Sequence, residues 1–598
     1  MIFYDFEVFK YDWLVVILDT ASQTETVIVN DAGKLEDFYQ EHVHDIWTGY
    51  NSTRYDQFIL KGILAGFDPK RINDWIIQRG QSGYSFNSAL QKYPLISYDV
   101  MERNDGSLKK FEGYMGNDIE ETSVPFDIDR KLTEDELNQT IYYCRHDVEQ
   151  TIEVFMERQS DFNAQLQLLI LYKYPLNYLS KTKVQLSAEI LEAQPKLFDD
   201  EFNISFPECA IIKKYTQVKD WYADWSNRRY KLTTKTGAQV SNKQELIMAG
   251  IPMTFGWGGC HGAVKNYHAK GYFLNMDVGS LYPSIMINFP EDCFSRAVPK
   301  EGYERFKEIK RVRLELKHQG KKKEQAPYKI VLNGTYGAMK DRFNKLYDPK
   351  AANNVCIYGM LLVGVDLLER LEETHCCKII QVNTDGILIQ LNRYEDYDLI
   401  DDVAYEWEKR TGLDLEFDDY GYGEIYQKDV NNYLVMDQWG HYKSKGEWIK
   451  SQNRLDYDLP IVNEALINYM TKKIPVEQTI NQCNDLHKFQ MVRKISNKYS
   501  EIRYGGTFNK SPVTKKTVYN NDGEVIHEKC VRIFASKKLE KGTFYKKSIS
   551  KGTYEKLEDA PEHAFMDNGA VEGKRVPREL DKSWYIEMAK KRLAKFGI

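Results

Sequence analysis

The chain reads as a multidomain protein of mixed α/β and α+β class, and three observations predict this. Its 598 residues suggest about four domains, since a domain holds roughly 100 to 200 residues. Short β-branched and aromatic runs at strand spacing open the chain and recur after Gly271, and each set gives way to long runs with helical periodicity. The composition, 42% hydrophobic and 28% charged, is that of ordinary globular domains. No stretch approaches the roughly 18 apolar residues of a membrane span, so a transmembrane protein is excluded and no membrane partner is expected.

The elements follow in order. Ile2 to Phe9, Trp13 to Leu18 and Thr26 to Asn30 have strand character and predict an antiparallel meander. Thr133-x-x-Glu136 is a capping box, and the run after it to Gln159 lacks Pro and Gly, which predicts one helix. From about Lys181 to Lys270 the pattern is broken by Pro195, Pro207, Pro252 and glycines, the signature of a connecting region. After Gly271 the run GYFLNMDVGS reads as a strand ending in a turn. Tyr303 to Gly320 and Glu324 to Lys340 read as two helices hinged at Gly320, and LLVGVDLLERLEE as another. Asn383-Thr-Asp385-Gly386 lies between KIIQV and ILIQL, and Asp-Gly between apolar runs predicts a hairpin with Asp385 at its tip.

The N-terminus, MIFYDFEVFK, has two acids and no basic n-region, so it is neither a secretory nor a transit leader. Nine cysteines without a CxxC pair fit a reducing cytoplasm and neither a disulfide scaffold nor a structural zinc site. A net charge of −6 does not mark a nucleic-acid binder by itself. Locally, Ser536 to Lys556 carries Lys537, Lys538, Lys541, Lys546, Lys547, Lys551 and Lys556 interleaved with Phe544, Tyr545 and Tyr554. That stretch is either a surface that tracks a phosphate backbone or a solvated loop face.

Two sets of carboxylates carry the chemistry. Asp5 and Glu7 are two apart on a strand and share a face, an arrangement that is repulsive unless a cation sits there or the edge is solvated. Tyr143 and Asp147 are four apart on the predicted helix, and Asp56 follows the polar turn Asn51-Ser-Thr-Arg-Tyr55. Hard oxygen ligands suit Mg²⁺, and two such ions can cleave a phosphodiester. In the second set Asp277 ends a strand, and Ser280-Leu281-Tyr282-Pro283 begins a helix whose free N–H groups can receive a triphosphate. Lys329, Asn333, Tyr336 and Lys340 lie on one helix face, and Arg313 with Lys317 form an i, i+4 basic pair. Asp277 and Asp385 can meet on adjacent strands and hold two Mg²⁺ with a nucleoside triphosphate.

In order and type, Asp5-x-Glu7, Asn51-x3-Tyr55-Asp56 and Tyr143-x3-Asp147 resemble the three motifs of proofreading 3′–5′ exonucleases with an RNase H-like fold. DVGSLYPS, KIVLNGTYG and NTDG resemble motifs A, B and C of family B DNA polymerases. The resemblance implies that Asp5, Glu7, Asp56 and Asp147 hold two metals while Tyr143 orients the attacking water. It implies that Asp277 and Asp385 are the polymerase metal ligands and that Tyr282 is the steric gate against a ribose 2′-hydroxyl. Arg313, Lys317 and Lys329 would contact the triphosphate, with Ser280 and Leu281 beside it, and Asn333 and Tyr336 would shape the base-pair pocket. FGWGGCHGA, with Gly258 and Gly259, resembles the family's template-contacting segment, although a flexible linker uses the same residues. Lys443-Ser-Lys445-Gly446 resembles its primer-side Lys-Gly segment, and a hairpin turn would read alike.

Motif C departs from the usual Asp-Thr-Asp-Ser at Asn383 and Gly386, and Asn431-Asn432-Tyr433 stands where a Lys-rich, Tyr-containing segment is expected. Asp277 to Lys329 spans 52 residues, without room for the insertion of protein-primed relatives. The implied layout is an exonuclease domain over 1–190, a connector over 191–270, palm over 271–300 and 346–450, fingers over 301–345, and a right-hand thumb over 451–598. The thumb would bring the lysines of 536–556 to the duplex. The expected substrates are dNTPs and a primed DNA template, with Mg²⁺ or Mn²⁺ as cofactor and a helicase, primase or single-strand-binding protein as further partners. The compact size resembles bacteriophage enzymes, implying a monomer serving viral DNA replication in the host cytoplasm. Two other readings are a 3′–5′ exonuclease with a weakened polymerase site and a non-catalytic primer-template binding protein.

Overall fold

The structure, a computed structural model, describes residues 1–234, 237–510 and 517–598. The chain folds as two compact units, Met1–Ser180 with Ser451–Val462 and Glu477–Glu587, and Lys181–Lys450 with Asn463–Val476 and Met588–Ile598. Both mix helices and strands. The consecutive layout read from the sequence differs from this division, because most of 451–598 folds with the N-terminal segment.

In the first unit, β1 (Ile2–Val8), β2 (Trp13–Asp19) and β3 (Thr24–Val29) form the expected antiparallel meander. On the other side of β1, β4 (Ile46–Gly49) and β5 (Ile96–Asp99) pair in parallel, giving the order β3-β2-β1-β4-β5. The alternation along β1 sends Ile2, Tyr4, Phe6 and Val8 into a core with Val15, Ile17 and Trp47, which leaves Phe3, Asp5 and Glu7 on the opposite face. The helix Glu134–Glu157 lies on that face, with Phe155 edge-on to Phe3 at 5.4 Å between ring centroids. Its start is the predicted capping box, with Thr133 and Glu136 satisfying each other's backbone N–H. It stops at Glu157 and a second helix, Gln159–Leu171, begins at once. The break falls at Arg158, whose guanidinium donates to Val100 O at 2.8 Å and to Asp105 Oδ1 at 3.0 Å, a tertiary tie that no local pattern reveals.

The second unit is built on a nine-stranded antiparallel sheet. Beyond a small hairpin of β6 (Lys231–Thr233) and β7 (Gln239–Ser241), its strands are β8 (Lys243–Met248), β9 (Ile251–Gly256), β10 (Gly259–Ala263), β11 (Tyr267–Val278), β12 (Cys377–Val382), β13 (Gly386–Leu391), β14 (Leu415–Asp429), β15 (Asn432–Met436) and β16 (Tyr442–Lys445). They lie in the order β16-β15-β14-β11-β13-β12-β10-β9-β8. Part of the segment read as a connector thus supplies three strands of the main sheet. Ile251, Met253 and Phe255 alternate into the core, and that period-2 burial outweighs the breaker signals of Pro252 and the glycines. The glycine-rich stretch is accordingly a tight hairpin, with Gly256 paired to Gly259. The helices Lys300–His318 and Lys322–Ala338 meet at Gly320, which takes φ +71°, as the hinge reading requires.

The sequence reading of apolar runs needs one correction. The helical run Pro349–Glu373 is long and apolar enough to cross a membrane, with a mean hydropathy of 1.5 over its best window, but that window is wholly buried within this unit. Core packing accounts for its composition.

The later segments of the first unit form a two-stranded hairpin of Phe508–Lys510 with Thr517–Tyr519 and two larger antiparallel sheets. One holds Met491–Lys494, Cys530–Ala535 and Ala564–Met566, and the other holds Glu524–Ile526, Tyr499–Tyr504, Phe544–Ser548 and Tyr554–Lys556. Arg532, fully buried, joins them to the N-terminal segment by donating to the carbonyls of Gly113 (3.1 Å), Asn117 (2.6 Å) and Gly569 (2.5 Å) and to Gln490 Oε1 (2.9 Å). Burial lowers its pKa to about 10, so it stays cationic at neutral pH.

Candidate active sites

In the first unit, four of the acids singled out in the sequence converge. Asp5 and Glu7 project from the same face of β1. Asp56 is the first residue of the helix Asp56–Leu64, where the positive end of the helix favours a carboxylate, and its Oδ1 accepts from Phe6 N at 3.2 Å. Asp147 comes from the covering helix, one turn after Tyr143. Burial holds Asp5 and Glu7 well above the usual carboxylate range, with Asp56 and then Glu7 adding at Asp5, and Asp147 adding at Glu7 against the opposing charge of Lys109. Burial raises Asp147, with Glu112 adding and Lys109 opposing. Asp56 is pushed up to about 7 by burial, against the backbone N–H groups that favour its charged form.

Four residues at this site carry no motif signal. Lys109 Nζ pairs with Asp147 and lies 3.1 Å from Glu112 Oε1, with the ring of Tyr143 4.4 Å away. Burial works against its charge, but Asp147 and Glu112 outweigh that and raise its pKa. Glu112 is itself fully buried. Asp99 shapes the turn that presents Asp56, accepting from Asn51 N (2.8 Å), Thr53 N (3.1 Å) and Thr53 Oγ1 (2.5 Å). Cys144 directs its thiol at Asp5, 3.2 Å from the carbonyl oxygen and 3.5 Å from Oδ2.

The donors suit a divalent cation. Asp5, Glu7 and Cys144 offer ligand atoms within 4.8 Å of one another. Glu7 is only 7% exposed, and among the described residues its carboxylate receives no hydrogen bond. Buried carboxylates that repel one another are the condition a cation relieves.

In the second unit, Asp277 and Asp385 are 108 residues apart in the chain and come together where β11 pairs with β13, Asp385 lying in the turn just before β13. Asp277 lies near the end of β11 opposite Gly386, the first residue of β13, and Val278 N donates to Asp385 O at 2.7 Å. The turn closes through Asn383 N to Gly386 O at 2.8 Å. A Cβ on Gly386 would lie 1.9 Å from Asp277 Oδ1 and 2.6 Å from Met276 O, so the departure from Ser at this position is what the local packing demands. Burial and then Asp385 raise the Asp277 pKa. The next strand adds two acids to the same face, because Glu416 pairs with Asp277 and Asp418 with Asn275. Asn275 Nδ2 donates to Asp277 Oδ2 at 2.8 Å and lies 3.5 Å from Asp418 Oδ2, and Lys443 Nζ reaches Asp418 at 2.9 Å. Glu416-x-Asp418 repeats the i, i+2 spacing of Asp5-x-Glu7, a signal sufficient to have found it. These oxygens again suit a hard divalent ion.

Around this face, Arg313 Nη1 donates to Ser280 Oγ at 2.5 Å, and Lys317 bonds both oxygens of Glu416 at 2.6 and 2.7 Å. Ser280 takes φ +53° at the helix start, and the Leu281 side chain is buried, so only its backbone is available to a ligand. Tyr282 and Tyr336 pack ring to ring at 4.2 Å, and the Tyr336 hydroxyl is 2.7 Å from Cys356 Sγ. Lys329 and Asn333 are exposed on the outer face of their helix. Lys340, from the same predicted face, instead donates to Trp257 O at 2.9 Å.

The remaining predicted contacts are partly engaged within the protein. Gly259, at φ +149°, abuts Thr384 of the acidic turn, whereas a Cβ on Gly258 would meet nothing. Gly258, Gly259 and Thr384 line one open cavity of about 530 Å³ with Tyr230 and Trp257. Lys445 is an exposed strand residue in β16, not a turn residue, and Gly446 at φ +118° packs against Asn432. Of the lysines in 536–556, Lys538 pairs with Glu579 (2.9 Å), Lys546 with Glu555 (3.6 Å), and Lys547 is 4.0 Å from Glu501. These three lysines are thus paired with carboxylates, one of them Glu555 of the same stretch, and Lys537 is exposed.

No protein-family model matches the chain, and no curated protein matches it. Among solved structures it is similar to the family B DNA polymerase from the hyperthermophilic archaeon Pyrobaculum calidifontis, at 14% identity and a TM-score of 0.39, over 99% of this chain and 77% of that one.

Proposed function

We propose that the chain is a DNA-dependent DNA polymerase of the family B type that also removes nucleotides in the 3′–5′ direction. The observation that carries the reading is the meeting of Asp277, near the end of β11, with Asp385, in the turn that leads into the paired strand β13, where Gly386 leaves room for the Asp277 carboxylate. The separate cluster of Asp5, Glu7, Asp56 and Asp147 supports the second activity. Primed DNA and dNTPs are the substrates in this reading, and a helicase, primase or single-strand-binding protein its replication partners.

A divalent ion at either site, Mg²⁺ or Mn²⁺, supplies positive charge to phosphate oxygens. Asp277 and Asp385 would hold it in the polymerase site, with Asp418 and Asn275 fixing the orientation of Asp277. Arg313 and Lys317 neutralise triphosphate charge, Lys317 exchanging Glu416 for the ligand. Ser280 and Leu281 offer backbone N–H groups at a helix start. The paired rings of Tyr282 and Tyr336 form a wall for the incoming sugar and base. In the other site Asp5, Glu7, Asp56 and Asp147 would hold the ion, and the Tyr143 hydroxyl, kept protonated by burial, positions a water.

The test is extension of a labelled primer on a DNA template with Mg²⁺ or Mn²⁺, with and without dNTPs. Asp385→Ala is expected to abolish extension and keep degradation, and the Asp5→Ala/Glu7→Ala variant to do the reverse. Extension by Asp385→Ala would refute the polymerase assignment, and degradation by the double variant would refute the exonuclease one.

A further inference from the structure

We infer that Asp5, Glu7 and Cys144 form a mixed oxygen–sulfur site for a thiophilic divalent ion of the zinc class, and that an ion held there blocks degradation. The blocking role rests on the exonuclease reading above, whereas the metal site does not. Cys144 is wholly buried on the helix Glu134–Glu157, between Tyr143 and Asp147 in the chain. A buried cysteine ordinarily packs as a small hydrophobe. This one faces oxygen, with Sγ 3.2 Å from Asp5 O and 3.5 Å from Asp5 Oδ2. Glu7 supplies the second, independent feature, a carboxylate 93% buried that no hydrogen-bond donor among the described residues serves. Its ligand atom and those of Asp5 and Cys144 lie within 4.8 Å of one another.

Hard ions such as Mg²⁺ are bound through oxygen alone, whereas zinc takes cysteine sulfur together with carboxylate oxygen in four-coordinate sites. Asp147 is not among the three residues whose ligand atoms gather here, and its Oδ1 pairs with Lys109. On binding, the Cys144 thiol gives its proton to solvent and its sulfur becomes the third protein ligand, with no change of oxidation state. Asp5 and Glu7 are then committed to the softer ion and withdrawn from Mg²⁺.

The full chain, stripped of metal, is titrated with Cd²⁺ while the sulfur-to-cadmium absorption in the near ultraviolet is recorded. Wild type is compared with Cys144→Ala, Cys144→Ser and Asp5→Asn/Glu7→Gln. The tightest Cd²⁺ equivalent is expected to carry that band in wild type, to lose it in both Cys144 variants, and to bind on the order of ten- to a hundredfold more weakly in the carboxylate variant. Zn²⁺ should displace it. An unchanged band in the Cys144 variants, or unchanged affinity in the carboxylate variant, would overturn the site. Cys144→Ser keeps the side-chain volume, so a Cys144→Ala variant that fails to fold leaves the comparison intact. In a parallel assay, the Zn²⁺ concentration that halves Mg²⁺-dependent degradation should rise at least about tenfold in Cys144→Ser, and equal inhibition overturns the blocking role. If no protein degrades DNA while the band behaves as expected, the exonuclease reading and the blocking role fail and the metal site stands.

Discussion

Gly386 occupies a position where only a hydrogen fits, with Asp277 Oδ1 and Met276 O on the side where a Cβ would stand. Gly386→Ser would restore the usual letter of motif C and yet displace the carboxylate it sits beside. It is expected to lower primer extension on the order of a hundredfold, as an ångström-scale misplacement does, with degradation unchanged, in the same extension assay. Asp99 acts at the other site by holding three donors of the turn before Asp56. Asp99→Ala should cost on the order of 2 kcal/mol, measured by denaturant unfolding, and should lower degradation more than extension. The residues found by motif were those whose neighbours in sequence also matter, such as Asp5-x-Glu7 and the NTDG turn. Lys109, Asp99 and Cys144 escaped because each meets its partners only through packing, whereas Asp418 was legible in the Glu416-x-Asp418 spacing.

At the scale of elements, local signals were dependable where the hydrogen bonds are local. The helix Glu134–Glu157 begins at its capping box, and Thr133→Ala should destabilise the protein by about 1 kcal/mol, read as a lowered melting temperature. The hairpin of β12 and β13 lies where the Asp-Gly signal placed it. Strands β8 to β10 did not stand out, since glycines and Pro252 that mark turns in isolation are tolerated once the sheet supplies partners. Arg532 binds three segments distant in sequence. Arg532→Met leaves several buried carbonyls without a donor, and a loss of roughly 3 kcal/mol or more is expected from chemical denaturation.

For the whole molecule, the metal-free acidic cluster of the first unit makes stability depend on pH. Asp5, Glu7, Asp147 and Asp56 have pKa values raised in the folded state, Asp56 to about 7. The folded protein therefore keeps protons that the unfolded chain releases above its carboxylate pKa of about 4. This contribution is complete below that value and is lost as pH rises through the folded values, which for Asp56 is about 7. A bound divalent ion reverses the penalty, so Mg²⁺ should raise the melting temperature more at about pH 8 than at about pH 5.5. Scanning calorimetry of wild type and Asp5→Ala/Glu7→Ala checks this, the variant showing a smaller Mg²⁺ effect.

The sequence by itself determined the mixed α/β class, the opening meander and the hinged helix pair, because these are written in short-range periodicity, caps and turns, and the two ordered sets of carboxylates were legible through their resemblance to known motifs. Only the tertiary structure decided which segments make up each unit and that Gly386 is obligatory. It alone also decided that Lys109 serves as counter-ion in one site, that Asp418 and Lys443 stand beside Asp277 in the other, and that the lysines Lys538, Lys546 and Lys547 are paired. These depend on contacts between residues tens to hundreds of positions apart. Charge, burial and close approach are properties of the assembled neighbourhood, and a linear pattern does not contain them.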